Sequence, residues 1–315
     1  MDVLDKKILY ELTINSRVSL ISLAKKLKIS KERLRYRFMS LKDEGVISYF
    51  IAIMNSASLG YSTYEMFIKF QNINQKIKEE IIADLSKSDK VAWIGDLEGN
   101  FDLGIIFLVE NQLELSEVIS VVEKKYSNYI MKKNLSINLE GQFFQRDYLL
   151  SKDRKGYNTK SYTRSKDLIK IDDLDKRICR FIAKDSRITA LDMSKSLNVS
   201  VDTVIKRLRN LEKEVISGYT IALDNKRINQ QHYKILLYLN NKEEESKMIS
   251  FLKLNNRVIT IVKTLSSWDY EIDIEVDNVD QLKLLTMDLT KIFSHMIRDY
   301  DILRVVDMKK YTFYP

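Results

Sequence analysis

The sequence predicts an α+β chain in which two winged helix-turn-helix domains alternate with two ferredoxin-like βαββαβ domains. Three observations carry this expectation: an internal duplication, a helical apolar period opening each copy, and an alternation of strand and helix patterns after it. Residues 17–38, RVSLISLAKKLKISKERLRYRF, and 187–208, RITALDMSKSLNVSVDTVIKRL, repeat one apolar rhythm 170 positions apart. Laid over each other from Leu4 and Leu174, the copies share Leu-Asp-Lys, the pairs Ser16-Arg17 and Ser186-Arg187, and the serines Ser30 and Ser200. After one deletion opposite Gly45 they share Val-Ile-Ser again, at 46–48 and 215–217.

Each copy opens with an amphipathic helix, marked by Leu4, Ile8 and Leu12 in the first and by Leu174, Ile178, Phe181 and Ile182 in the second. Ser19 and Thr189 start a second helix, and Thr189 with Asp192 has the spacing of a capping box. Its apolar positions are Leu23, Ala24 and Leu27 against Met193 and Leu197. Ser30 and Ser200 cap a third helix, which repeats Leu34, Phe38, Leu41 as Val204, Leu208, Leu211. VISYFIAIMN and VISGYTIALD then read as β wings, because β-branched and aromatic residues dominate them.

The segment after each wing is also repeated, though more faintly. YEMFIKF, KIKEEIIADLSK, VAWIGDL, FDLGIIFLV, LSEVISVVEKKY and SINLEGQFF make one βαββαβ unit, with a turn at Glu98-Gly99-Asn100. YKILLYL, EEESKMISFLKL, VITIVKTL, WDYEIDIEV, QLKLLTMDLTKIF and DILRVVDMKKYTF make the other, with its turn at Ser266-Ser267. The expected domains are therefore 1–60 and 171–231 for the winged modules and 61–150 and 232–315 for the sheet modules. Residues 151–170, SKDRKGYNTKSYTRSKDLIK, have no apolar period and read as a basic linker.

Composition narrows the function classes. The chain has 315 residues and 45% hydrophobic content, ordinary for a globular protein. No apolar run reaches the roughly 18–20 residues of a membrane span, and MDVLDKKILYEL lacks a signal peptide's apolar core. A cytoplasmic protein without a membrane partner is expected. The one cysteine, Cys179, aligns with Leu9 inside a helical repeat and reads as core, which leaves no redox chemistry. The net charge of +8 is unevenly spread: +5 in 1–60, −4 in 61–150, +5 in 151–170, +3 in 171–231 and −1 in 232–315. Positive charge thus collects in the duplicated helical segments and the linker, as two modules docking on a polyanion would require.

A three-helix winged module followed at once by βαββαβ, with a Gly-x-x-Asp hairpin, resembles the Lrp/AsnC family of transcription regulators. LDKKIL with downstream Arg17, SLAKKLKIS, Glu44 to Ile47 and the pair Gly99 and Asp102 carry the resemblance, which covers both halves apart from the linker. The chain departs from the family pattern in being a tandem fusion, in having Ser266 at the second hairpin's glycine position, and in lacking the second copy's counterpart of Gly45. The resemblance implies binding of double-stranded DNA through helix three, pairing of the sheets, and an amino acid or other small effector at the second module. Its hairpin region would involve Gly99, Asp102, Ser266 and Asp269, although both aspartates are better explained as acceptors of hydrogen bonds from turn amides. Self-association of the paired units through their sheet modules would fit the same pattern.

Helical geometry nominates the DNA-reading residues independently. At 100° per residue, Leu34, Phe38 and Leu41 turn Glu32, Arg33, Tyr36 and Ser40 away from the core, with Arg35 and Arg37 on the flanks. In the second copy the outward set is Asp202, Thr203, Lys206, Arg209 and Asn210, with Arg207 flanking. Ser30, Lys31 and Ser200 belong to the helix starts that approach the duplex. The amino-terminal part of such a helix reaches base edges in the major groove, which assigns reading to Arg33, Tyr36, Thr203 and Lys206. Arg35, Arg37, Arg207 and Arg209 suit phosphates. The expected site has two unlike half-sites, read by an intramolecular pseudo-dimer.

Two rival readings fit the same pattern. An architectural protein that coats or bends DNA needs the same basic modules. Siroheme decarboxylases also resemble this family and occur as paired halves, but they depend on histidine and arginine around a tetrapyrrole pocket. Here His232 and His295 are the only histidines, 63 positions apart and without metal-ligand spacing, so neither catalysis nor a metal or other cofactor is expected. Trp93 and Trp268 read as sheet packing, and Glu243 to Glu245 as the acidic start of a helix.

Overall fold

The computed structural model describes residues 1–157, 159–163 and 167–315. The first winged module comprises α1 (Val3–Ile14), α2 (Leu20–Leu27) and α3 (Lys31–Asp43), followed by β1 (Ile47–Met54). Each helix starts where a side chain can satisfy its free amides. Asp2 accepts from the amides of Leu4 and Asp5 in a capping box, Ser19 from Ser22, and Ser30 from Arg33. α2 ends on Lys28 in the left-handed region, which turns the chain sharply into α3. Ile8, Leu12, Leu23, Leu34, Phe38 and Leu41 close the core between them.

β2 (Ser62–Phe70), α4 (Gln75–Ser86), β3 (Val91–Glu98), β4 (Leu103–Val109), α5 (Gln112–Tyr126) and β5 (Ile130–Phe143) form the first βαββαβ unit, in strand order β5-β2-β4-β3. After the short β6 (Lys160–Thr163), the second winged module follows as α6 (Asp173–Lys184), α7 (Ala190–Leu197), α8 (Val201–Glu214) and β7 (Ile216–Leu223). Thr189 caps α7 through the Asp192 amide at 3.1 Å; the Asp192 carboxylate accepts the Thr189 hydroxyl. The second sheet unit is β8 (Gln231–Leu239), α9 (Glu245–Leu254), β9 (Val258–Leu265), β10 (Tyr270–Val276), α10 (Val279–Ile292) and β11 (Ile297–Tyr311), in order β11-β8-β10-β9.

The two sheets join at both edges. β3 pairs with β11, with Ile94 opposite Lys310, and β5 pairs with β9, with Gly141 opposite Val262. With β2 and β5 already paired, the eight strands close into a barrel that leaves no free edge in the ring. Because successive strand residues face opposite sides, Tyr64, Met66 and Ile68 pack outward under α4 and α5, while Glu65 and Phe67 face inward. Trp93 fills one part of the interior over Gly95 and Gly104, where an added Cβ would lie 2.2 and 2.7 Å from its ring. No helix among the described residues is long and apolar enough to cross a membrane.

Two sequence expectations change. The wings do not fold back within their own modules: β1 and β7 pair antiparallel with each other, with Phe50 opposite Ile221. Each half supplies one strand only, and a lone strand must find its backbone partners in the other copy. Residues 151–170, expected as a basic linker, are partly built into the fold. Arg154 is buried, pairs with Asp147 at 2.8 Å and donates to the carbonyls of Gln145, Val258 and Lys253 at 2.7, 3.0 and 3.2 Å. Lys160 is buried too, donating to the Thr13 carbonyl at 3.0 Å, and burial holds its pKa down to about 8. These two charges stabilise contacts between modules and are withdrawn from any polyanion. Arg164 and Lys166, counted in the linker charge, lie outside the described residues.

Candidate nucleic-acid interface

Helix three of each module buries its apolar stripe: Leu34, Phe38 and Leu41 of α3 and Val204, Leu208 and Leu211 of α8 are buried, as expected. Lys31, Glu32, Arg33, Arg35 and Tyr36 project from α3 into solvent, and Tyr36 is 73% exposed. Asp202, Lys206 and Arg209 project likewise from α8, and Thr203 is half-buried, its hydroxyl 2.8 Å from that of Ser200. Among the described residues no ion pair holds Arg33, Arg35, Lys206 or Arg209, so these cations are free to meet phosphate or base edges.

Arg37 and Arg207 behave differently. Arg37 bridges to Asp2 at 2.8 Å and Asp5 at 3.4 Å, and Arg207 to Asp172 at 2.7 Å and Asp175 at 3.1 Å. Both expected phosphate ligands are thereby engaged at the amino terminus of the first helix of their own module. The cause is shared: the acidic cap that starts helix one lies beside the flank of helix three, and the arginine neutralises it.

The shared Ser-Arg pairs, which sequence alone left without a role, form the contact between the modules. Ser16 and Ser186 meet with hydroxyl oxygens 2.7 Å apart in a buried contact. Around them, Arg17 donates to the carbonyls of Ser186 and, at 3.1 Å, Ile188, while Arg187 donates to those of Ser16 and, at 3.1 Å, Val18. Arg187 also stacks on Phe38 of α3, 4.8 Å from the ring centre, and Arg17 on Tyr219 at 5.3 Å. This reciprocal exchange marks a pseudo-two-fold axis and locks the two recognition modules to each other. Retention of one dipeptide in two diverged copies was the signal.

The hairpin positions are occupied by structural duties. Asp102 accepts from the Phe70 amide and from Lys69, both at 2.8 Å, and Lys69 also donates to the Gly99 carbonyl at 2.9 Å. Asp269 repeats the pattern with the Leu239 amide at 2.9 Å and Lys242 at 3.0 Å. Ser266 exchanges hydrogen bonds with the Trp268 backbone. Gly99 has φ +130° and lies against β11, where a Cβ would come within 3.0 Å of the Ile302 carbonyl. All four residues thus serve strand ends and the barrel seam.

Polar chemistry concentrates instead inside the barrel, beneath the β1/β7 ribbon, around a cavity of about 90 Å³. Lys234 lies 2.8 Å from Glu271, 3.4 Å from Asp273 and 3.6 Å from Glu65. Burial and the neighbouring Glu271 push the Glu65 carboxyl well above the usual carboxylate range, against the pull of Lys234. Burial disfavours the Lys234 charge, yet Asp273, Glu271 and Glu65 outweigh it and raise its pKa. Arg146 forms a two-pronged bridge to Glu275 at 2.6 and 2.9 Å, and Tyr148 donates to the same carboxylate. His232 pairs with Asp273 at 3.0 Å; His295 is exposed and 3.4 Å from Glu244. No group of three or more metal-ligating side chains occurs among the described residues.

Comparison with known proteins agrees with this geometry. The family model described as winged helix-turn-helix DNA-binding matches residues 1–48 and 171–214, the two helical modules. An uncharacterized HTH-type transcriptional regulator of Pyrococcus horikoshii is 32% identical over 123 residues, 39% of this chain and 81% of that protein. The HTH-type transcriptional regulator FL11 of Pyrococcus furiosus is 26% identical over 124 residues, 39% of this chain and 80% of that protein. Each such relative therefore matches one unit of the two. Over its full length the fold is similar to that of the siroheme decarboxylase NirDL, with TM-score 0.60, 13% identity, and coverage of 98% of this chain and 92% of that one. The chain belongs to the Lrp/AsnC family of winged helix-turn-helix proteins, with two family units in tandem in one polypeptide.

Proposed function

We propose that this protein is a double-stranded DNA-binding transcription regulator whose two modules read two unlike half-sites. The observation that carries the reading is the pair of recognition helices, exposed and free of internal ion pairs on their outward faces, on modules fastened around the Ser16–Ser186 contact. The amino-terminal reading positions differ in chemistry: Arg33 and Tyr36 in α3 stand where α8 has Thr203 and Lys206. Arginine suits guanine, whereas threonine and lysine offer other donors, so the preferred bases differ between half-sites. Arg35 and Arg209 take phosphates. Residues 1–60 and 171–231 act as the reading units, and 61–150 with 232–315 as the pairing unit.

Selection of bound sites from random duplexes tests this. Enriched sites with two dissimilar halves, roughly 10 base pairs or a multiple apart, are expected. Perfect palindromes would overturn the two-reader scheme, and the absence of any consensus would favour an architectural role.

We infer a binding protein and not an enzyme, despite the likeness of fold to a decarboxylase. His232 is held against buried Asp273, His295 lies at an exposed helix start, and the barrel cavity of about 90 Å³ has no room for a tetrapyrrole. An absorbance titration with siroheme checks this: a saturable spectral shift on binding would reinstate the enzyme reading.

A further inference from the structure

The barrel cavity has one apolar side and one charged side. The apolar wall comes from Trp93, Ile106 and Leu108 of the first half with Phe143 and Phe313, and the charged wall from Lys234, Asp273 and Glu275 of the second half with Glu65 and Arg146 of the first. The roof is made by Ile51 of β1 and Thr220 to Ala222 of β7, the ribbon that joins the two DNA-reading modules. Two buried side chains that line the cavity carry an atom without a hydrogen-bond partner: Glu65 at Oε1 and His232 at Nδ1. Buried polar atoms are nearly always satisfied, so each needs an explanation.

Both atoms can accept from a donor, Glu65 once a cation beside it lets its carboxyl ionise. Glu65 Oε2 accepts from Asn138 at 3.0 Å, while Oε1 stands 3.6 Å from Lys234, beyond hydrogen-bond reach. The ionised Asp273 can only accept, so the proton in the His232–Asp273 bond sits on Nε2, and Nδ1 is the ring nitrogen left without a partner. The lining cations Arg146 and Lys234 are already paired with Glu275 and with Glu271 and Asp273, so an anionic ligand would compete with those carboxylates, and an uncharged hydrocarbon would leave both atoms bare. A cavity of about 90 Å³ is smaller than the ~150 Å³ space that takes benzene, which limits an occupant to roughly four or five heavy atoms.

We propose that this cavity binds a small organic ammonium ion with a short alkyl chain, and that its occupancy alters DNA affinity through the β1/β7 roof. The ammonium donates to Glu65, and the chain rests on Trp93 and its apolar neighbours. The coupling to DNA rests on the regulator reading above; the binding itself does not.

The test uses the full chain without DNA, with n-propylammonium chloride as probe and n-propanol and sodium propionate as comparators at matched ionic strength. Calorimetry should give saturable one-to-one binding of propylammonium alone. Glu65→Gln should weaken it by about tenfold or more, since a charge-assisted bond is lost, whereas Glu80→Gln on the outer face of α4 should not. Ile106→Phe, which fills the cavity with apolar bulk, should abolish binding, and melting curves without ligand report whether each variant folds. No saturable heat, equal binding of propanol, or an unaffected Glu65→Gln would mean that the cavity holds water only and would overturn the site. In a second arm, DNA affinity should change by about fivefold or more at saturating propylammonium. Binding without that change overturns the coupling alone, and DNA binding with no ammonium response leaves the regulator standing without this ligand.

Discussion

Arg187→Ala should loosen the registration of the two reading modules while leaving each module able to bind DNA. Arg187 donates to the carbonyls of Ser16 and Val18 and stacks on Phe38, which lies in the core face of the first recognition helix. A hydrogen bond from a charged group contributes about 1.5–3 kcal/mol, and a cation–π contact about 0.5–1 kcal/mol at partly exposed sites. Because the side chain is only half-buried and water can reach part of the vacated space, the lower ends apply, which gives a loss of about 2–4 kcal/mol. Urea denaturation followed by circular dichroism measures that loss. Binding to duplexes whose half-site spacing is stepped by single base pairs around one helical turn, about 10 base pairs, measures registration. The unmodified chain should show a sharp spacing optimum and the variant a broad one. Arg17→Ala should act in the same direction, and the double variant less than additively, because both arginines meet at the same serine contact. A stability loss under about 0.5 kcal/mol together with an unchanged spacing profile would refute the lock.

Other outcomes can be checked with fewer reagents. Arg33→Ala or Lys206→Ala should relax base preference in one half-site only, by about 1–3 kcal/mol, whereas Arg35→Ala should weaken all sequences alike and reduce the salt slope by about 1. Filter binding across a salt series distinguishes these effects, and a nearly flat salt dependence would count against phosphate contact altogether. Glu65→Gln should raise the melting temperature at neutral pH. A carboxyl whose folded pKa is raised contributes stability that is full below its unfolded pKa and is lost as pH rises through the folded one, so the advantage of glutamine should vanish near pH 4. Equal melting temperatures at every pH would show that Glu65 is not strained by its site among Lys234, Glu271 and Asn138. Burial pushes the Cys179 thiol up to about 12, so it should resist a disulfide reagent until the chain is unfolded in urea; fast labelling of the native protein would contradict its packing.

The helical modules were legible because apolar period and caps are local signals. Ser30 and Ser200 could be assigned as caps from sequence, and Leu34, Phe38 and Leu41 as the buried stripe, since both depend on residues within two turns. Features that need residues distant in sequence were hidden. Arg37 and Arg207 read as surface cations because their acidic partners lie 32 to 35 positions upstream. Arg154 and Lys160 read as solvated linker charges, yet Arg154 donates to the Val258 carbonyl of the second sheet module and Lys160 to the Thr13 carbonyl of the first winged one. The strand YEIDIEV looks half solvent-facing, because its acids alternate with apolar residues. Closure of the barrel buries both faces: Tyr270, Ile272 and Ile274 pack under α9 and α10, while Glu271, Asp273 and Glu275 turn inward. Alternation reveals which residues share a face and says nothing about whether water lies on it.

Those inward positions also bear on why two family units occupy one chain. Aligning Tyr64 with Tyr233 sets Glu65 against Lys234, and the two meet across the barrel at 3.6 Å. Aligning Phe101-Asp102 with Trp268-Asp269 likewise sets Gly104, Ile106 and Leu108 against Glu271, Asp273 and Glu275. Two identical units would bring either two glutamates or two lysines together at that central site, and like charges in so dry a place oppose pairing strongly. They would also fill the interior with acids from both sides, or leave it uniformly apolar. Covalent linkage removes the requirement that both halves carry the same residue at a symmetric position. One half can then supply the apolar wall with Trp93 and the other the Asp273 and Glu275 carboxylates, while the Ser16–Ser186 contact preserves the symmetry that the DNA-reading modules use. The same freedom accounts for Arg33 and Tyr36 facing Thr203 and Lys206 as counterparts. Divergence at the core and divergence at the reading helices are thus two consequences of one duplication, and both are confined to places where the pseudo-two-fold axis does not need identical residues.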